Sequence, residues 1–334
     1  MKKITVLGAG SWGTALALLL QRSRQEHTVC LWARRAELAD ALLKKRVNTE
    51  YLDGFQLPQQ LEITSDLSDA VDGAEMVLGV VPSEHARVIY TNALPHLMPE
   101  AAIVSATKGL DFPAYERMTQ MIASVTASRF AARVAALSGP SFAREAARGD
   151  PTAVVVAAED EALAAQIQEE LSGPTLRLYT NTDVTGVELG GAVKNVIAIA
   201  AGVCAGLGLG HNSAAALVTR GLAEMTRLAC ALGGRRETLF GLAGLGDLVL
   251  TCTGALSRNR NVGVALGQGR GLAEIQSSTR MVAEGVRTTA ATVELARRHG
   301  IEMPITEQMH AVLYGGRPPR DAIRELMERP LKTE

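Results

Sequence analysis

The sequence predicts an α/β dinucleotide-binding domain followed by an all-helical domain, and three observations predict it. A short apolar run at Lys3–Leu7 leads into Gly8-Ala9-Gly10-Ser11-Trp12-Gly13 and then into good helix formers. Further apolar runs alternate with helical stretches up to about Thr182, the pattern of βαβ units on a parallel sheet. Beyond that point no convincing strand remains. The expected domains are residues 1–182 and 183–334.

Taken in order, Lys3–Leu7 is the kind of run that a buried parallel strand uses, and Thr14–Arg22 follows as a helix. Val29–Trp32 is a second strand and Ala36–Lys45 a helix with its charges on one face. Leu61–Thr64 is a weak strand; Met76–Val81 is a strong one, ended by Pro82. Ala102–Ala106 and Val134–Leu137 are strands, each followed by a loop rich in Gly, Ser or Lys, and Thr152–Ala157 is another strand. Asp183 is placed to cap a long helix through Val187, Val193, Ile197 and Ala201. Ala215–Leu232, Thr279–His299, Glu307–Tyr314 and Arg320–Glu328 also read as helices.

Composition narrows the function. The 334 residues are 47% apolar and 21% charged, the balance of a globular chain. A net charge of -1 and 4% aromatic residues argue against a nucleic-acid grip or a stacking platform for single strands. Cys30, Cys204, Cys230 and Cys252 lack metal or disulfide spacing and read as buried small apolar residues. The six histidines form no HxH or HExxH cluster, so no metal is expected. The apolar N-terminus is broken by Gly8, Gly10 and Gly13, which favours strand–turn–helix over a secretory leader. Val196–Gly210 is uncharged but short for a membrane span, and is expected to be a core helix.

Gly8 to Gly13 is GxGxxG in the context the motif requires, after a strand and opening a helix. Gly8 permits the tight turn, Gly10 lets backbone approach a pyrophosphate, and Gly13 lets the helix pack on the sheet, as in a Rossmann-like domain. The pyrophosphate then meets free N–H groups at a helix N-terminus. The second strand ends in Trp32-Ala33-Arg34-Arg35, with no carboxylate for a ribose 2′-hydroxyl. Guanidinium groups bind a 2′-phosphate by charge and paired hydrogen bonds, so Arg34 and Arg35 favour NADPH/NADP, with NADH/NAD the second choice.

Several segments carry candidate chemistry. Lys108, in Ser105-Ala106-Thr107-Lys108-Gly109, follows a strand at the carboxyl end, where such sheets bind ligands. Ser138-Gly139-Pro140-Ser141 offers a hydroxyl and open backbone; it is not GxSxG, which excludes a serine hydrolase. In Glu188-Leu189-Gly190-Gly191-Ala192-Val193-Lys194-Asn195, Lys194 leans over two glycines, which should leave room for a small substrate beside the ammonium. A lysine inside an apolar helix needs work or a partner. Asp247, presented from a glycine-rich loop, could orient Lys194 or merely cap a helix. Ser257-Arg258-Asn259 precedes a helical stretch, and arginine with helix-start amides suits phosphate, though a solvated basic turn would read the same way.

Together and in this order, these segments resemble the bacterial NAD(P)-dependent sn-glycerol-3-phosphate dehydrogenase family. The likeness runs from GAGSWGTALA at Gly8 to MPITEQ at Met303. Its most specific stretches are ELGGAVKNVIAIAAG, LVTRGLAEM, GLAGLGDLVLTCT and SRNRNVG. The resemblance implies NAD(P)H-dependent, reversible reduction of dihydroxyacetone phosphate to sn-glycerol 3-phosphate, with Lys194 moving the proton at the substrate oxygen. It implies that Lys108, Gly139, Ser141, Asp247, Ser257, Arg258 and Asn259 line the substrate site. Ser11, Trp12, Arg34, Arg35, Ala143, Val282 and Glu284 would hold the dinucleotide, with Lys108 and Arg258 serving both ligands. It further implies a cytoplasmic homodimer that supplies glycerophospholipid synthesis. One departure is Ala214, where such proteins often carry Arg or Lys. Another hydroxyacid dehydrogenase of this domain plan, or a non-catalytic NADP-binding redox sensor, are the competing expectations.

Overall fold

The apolar runs of the first half assemble into one eight-stranded sheet. The structure, a computed structural model, describes residues 2–277, 283–331 and 333. The chain divides into two units, Met1–Glu188 and Leu189–Glu334. The first unit opens β1 (Lys2–Leu7), α1 (Ser11–Leu20), β2 (His27–Trp32), α2 (Ala36–Lys45), β3 (Val47–Asn48), β4 (Leu52–Gln56) and β5 (Glu62–Thr64). It continues through α3 (Leu67–Val71), β6 (Met76–Gly79), α4 (Ser83–Ala93), β7 (Ala102–Ser105), α5 (Met118–Thr126) and β8 (Arg133–Ser138). It ends with α6 (Ala143–Arg148), β9 (Thr152–Ala157), α7 (Glu161–Leu171) and β10 (Leu176–Asn181).

The sheet order is β10-β9-β8-β7-β6-β1-β2-β5, with β3 and β4 paired separately. β1 lies parallel to both β2 and β6, and the winding order of the strands reverses there, so the crevice at the carboxyl ends of β1 and β6 is where such sheets bind ligands. Period-two alternation divides the strand residues between the faces. Ile4, Val6, Met76, Leu78, Ala102 and Val104 join the core on one face, and Leu7, Val77 and Ile103 join the other.

The expected all-parallel sheet needs one correction, because β8 and β9 pair antiparallel. The only helix in their connection, residues 139–151, is the six-residue α6. At 1.5 Å per residue that helix spans roughly 9 Å, too little to carry the chain back along a strand of about 20 Å. The chain therefore turns and returns beside β8. Two further strand features were not expected. The β3–β4 ribbon is short, and β10 is an edge strand whose Arg177 and Tyr179 face outward between buried Leu176 and Leu178.

α8 (Val184–Gly206) leaves the first unit and enters the second. Asp183 caps it, accepting from Gly186 N at 2.8 Å. It is long and apolar enough to cross a membrane, but 89% of its most apolar stretch is buried, as expected of a core helix. The second unit continues with α9 (His211–Ala231), α10 (Arg236–Leu239), α11 (Asp247–Thr253) and α12 (Arg258–Gly267). Then come α13 (Leu272–Ser277), α14 (Glu284–Arg298), α15 (Pro304–Tyr314) and α16 (Pro319–Met327). No strand occurs after Asn181 among the described residues. The start of the expected Thr279–His299 helix lies outside the described residues, and α14 covers the rest.

Glycines bring α8 and α12 into backbone contact. A Cβ at Gly202 would lie 2.0 Å from Arg260 O, and one at Gly263 would lie 2.0 Å from Ile199 O. All four cysteines are free; Cys30, Cys204 and Cys252 are buried as expected, but Cys230 is exposed.

Candidate active site

In the first unit, β1 delivers the chain into the glycine turn. Gly8 has φ +120°, and a Cβ there would meet Val80 O at 2.7 Å. A Cβ at Gly13 would lie 1.9 Å from Gly8 O, so the helix packs on the turn only because Gly13 lacks one. A Cβ at Gly10 meets nothing within 4 Å, which leaves open space beside the start of α1. No side chain caps that N-terminus. This combination suits a pyrophosphate: open space, exposed amides and the positive end of a helix. Ser11 is the first residue of α1, and Trp12 packs partly buried against the core. Arg34 and Arg35 are exposed just beyond β2, and Arg35 Nη2 pairs with Glu50 Oε2 at 2.5 Å.

At the ends of β7 and β8 the structure brings three sequence-predicted residues together. Lys108 Nζ donates to Gly139 O at 2.8 Å and to Ser141 Oγ at 3.3 Å. Gly139 has φ +138°, a turn that aims its carbonyl at the ammonium. Ala143 follows as the first residue of α6.

In the second unit, Lys194 and Asp247 meet. Lys194 Nζ donates to Asp247 Oδ1 at 2.6 Å and to Thr251 Oγ1 at 2.7 Å. Lys194 is 5% exposed and Asp247 1%, so the pair is almost dry. Asp247 is not presented by an irregular loop: Leu242–Gly246 is a π-helical turn that runs directly into α11. The room expected beside Gly190 is also filled. A Cβ there would lie 2.6 Å from Ala243 O, so the glycine admits the π-helical turn. That close approach carries Asp247 to Lys194. Burial among these groups pushes the Cys252 thiol up to about 12, despite the nearby Lys194 charge.

The Ser257–Asn259 segment starts α12. Ser257 caps the helix through Arg260 N at 3.2 Å, and Arg258 is exposed at the first position. Asn259 is tied inward: Nδ2 donates to Asn195 Oδ1 at 2.9 Å, and Oδ1 accepts from Gly285 N at 2.9 Å. It thereby joins α8, α12 and the start of α14, where Glu284 is half-buried. Val282, expected on the cofactor side, lies outside the described residues.

Comparison with known proteins decides the family. The model of the NAD-dependent glycerol-3-phosphate dehydrogenase N-terminus matches residues 3–164, and that of the C-terminus matches residues 183–324. The chain belongs to this family. A glycerol-3-phosphate dehydrogenase [NAD(P)+] of Koribacter versatilis is 58% identical, covering 100% of this chain and 99% of the relative. One from Acidobacterium capsulatum is 54% identical and covers 100% of both chains. The crystal structure of glycerol-3-phosphate dehydrogenase from Coxiella burnetii superposes with a TM-score of 0.92 at 42% identity, covering 98% of this chain and 99% of that one.

Within this glycerol-3-phosphate dehydrogenase family member, the sequence reading passed over several residues at the site. Thr251 was missed because Gly244–Asp247 was read as a loop. Once α11 is recognised, Asp247 and Thr251 are four residues apart on one helix face. Asn195, next to Lys194 on α8, has no sequence signal of its own; its Oδ1 accepts from Asn259. Asn48, Glu50 and Tyr51, in the β3–β4 segment, had no periodic signal to reveal them. Ala214 lies half-buried near the start of α9.

Proposed function

We propose that this chain catalyses the NAD(P)H-dependent, reversible reduction of dihydroxyacetone phosphate to sn-glycerol 3-phosphate. The observation that carries the reading is the dry Lys194–Asp247–Thr251 cluster, in a chain whose full-length relatives are named for this reaction. The bound nicotinamide would supply the hydride, and the protein supplies position and charge. Gly8, Gly10, Gly13, Ser11 and Trp12 support a dinucleotide on the first unit, with Arg34 and Arg35 toward its 2′-phosphate. Ala143 and Glu284 are further candidates on that side.

Lys194 holds the substrate oxygen and delivers the proton as negative charge develops there. Asp247 and Thr251 fix the ammonium. They keep it aimed in a site where bulk water does not compensate. Lys108, Gly139 and Ser141 form a polar nest for the substrate. Ser257, Arg258 and Asn259, at the start of α12, suit its phosphate; Asn259 also keeps its own three-helix contacts. Remote phosphate binding then holds the carbonyl for attack. The family resemblance further supports a cytoplasmic homodimer feeding glycerophospholipid synthesis.

The test is to mix purified protein with dihydroxyacetone phosphate and follow nicotinamide oxidation with NADPH and NADH in parallel. Turnover that is faster with NADPH is expected. Turnover with NADH alone would discard the Arg34–Arg35 argument, and none with either would discard the reaction.

A further inference from the structure

The segment between β3 and β4 lies far from the glycine motif in sequence, yet it is fastened to it. Asn48 is fully buried; its Nδ2 donates to Ala9 O at 2.9 Å and to Thr14 Oγ1 at 2.8 Å. Asn48 Oδ1 accepts from Tyr51 N at 3.2 Å, and Ser11 Oγ donates to Tyr51 O at 2.7 Å. These bonds hold residues 48–51 against the turn and the first helix. They carry Glu50 to the end of β2, where its carboxylate pairs with Arg35 at 2.5 Å and is 26% exposed. The Tyr51 phenol, raised above its usual range chiefly by burial, hydrogen-bonds the same carboxylate.

A carboxylate here offsets one of the two guanidinium charges that favour a 2′-phosphate. It also restores what β2 lacks. In dinucleotide-binding sheets an acidic residue near the end of the second strand accepts the ribose 2′-hydroxyl. This chain has arginines at that place, and the β3–β4 loop brings a carboxylate in from elsewhere.

We propose that Glu50 sets the choice between NADH and NADPH: it accepts the 2′-hydroxyl of NADH, and its pair with Arg35 opens when both arginines hold the 2′-phosphate of NADPH. The proposal rests on the dinucleotide reading above. One loop residue then lets the chain take either cofactor, because Arg35 has an anionic partner in both states, Glu50 with NADH and the 2′-phosphate with NADPH.

The test is calorimetric titration of the substrate-free protein with NADH and with NADPH, for the wild type, Glu50→Ala and Glu50→Gln. Glu50→Ala is expected to weaken NADH about tenfold, the worth of one hydrogen bond to a charged group, and to tighten NADPH several-fold. Glu50→Gln keeps a neutral acceptor, so it should lose less NADH affinity than Glu50→Ala while gaining NADPH affinity similarly. The fall in NADH affinity is the diagnostic arm. Unchanged NADH affinity in both variants, or a shift of both dinucleotides in the same direction, would overturn the proposal and leave Glu50 a loop support. Failure of the wild type to bind either dinucleotide would overturn the underlying reading and this inference with it.

Discussion

Lys194 and Asp247 are each nearly inaccessible, and that determines what a substitution does. Removing one member of a buried pair strands the other charge, which typically costs about 3–5 kcal/mol. Lys194→Ala should therefore lower stability as well as activity, and a loss of turnover alone would not separate the two. The double change Lys194→Met with Asp247→Leu removes both charges and keeps apolar bulk. It should recover most of the stability while kcat stays depressed by roughly 10²–10⁴-fold, the usual worth of positioned proton transfer. Urea unfolding and steady-state turnover on the three proteins check this. Recovery of kcat with stability would remove Lys194 from the chemistry and leave the pair a structural bridge.

Whole elements are held by groups of the same kind. Glu224 on α9 reaches the start of α15, accepting from Ile305 N at 2.6 Å, Thr306 N at 3.2 Å and Thr306 Oγ1 at 3.1 Å. Burial pushes its carboxyl up from 4.5 to about 7, against these bonds and the Arg227 charge, which act to lower it. The unfolded chain releases this proton near 4.5 and the folded chain near 7. Between those values the unfolded state binds fewer protons, so rising pH favours unfolding. The stability tied to neutral Glu224 is complete below that window and lost as pH rises through about 7. Glu224→Gln can still accept from the helix amides but does not titrate. Its urea midpoint should gain on the wild type as pH crosses the window. A constant offset on both sides would show that Glu224 keeps one protonation state throughout.

For the whole molecule, what was legible followed how far each feature depends on its own neighbours in sequence. The glycine turn was readable because much of what it demands is local: Gly8 takes φ +120°, and Gly13 is glycine for its contact with Gly8 O inside the motif. The α2 bounds, Ala36–Lys45, follow from amphipathic spacing alone. The antiparallel β9 was not readable, since strand direction depends on where the chain goes next. The role of Gly190 was misread because its neighbour is the Ala243 backbone, more than fifty residues away. Arg35 was read as a free phosphate grip because Glu50 reaches it only through a short ribbon that gave no signal. These long-range partners sit within one unit or the other: the arginines and Glu50 in the first, Lys194, Asp247 and Thr251 in the second. Arg34 and Lys194 thus belong to separate clusters with no shared partner among the described residues, and their contributions should be energetically separable. In a cycle of wild type, Arg34→Ala, Lys194→Ala and the double variant, NADPH affinity should fall with Arg34→Ala by the same factor in either background. Independent sites add to within about 0.5 kcal/mol. Calorimetric dissociation constants for the four proteins give the coupling directly. A coupling well above that bound would mean that Lys194 shares in holding the dinucleotide, and its task could then not be confined to the substrate oxygen.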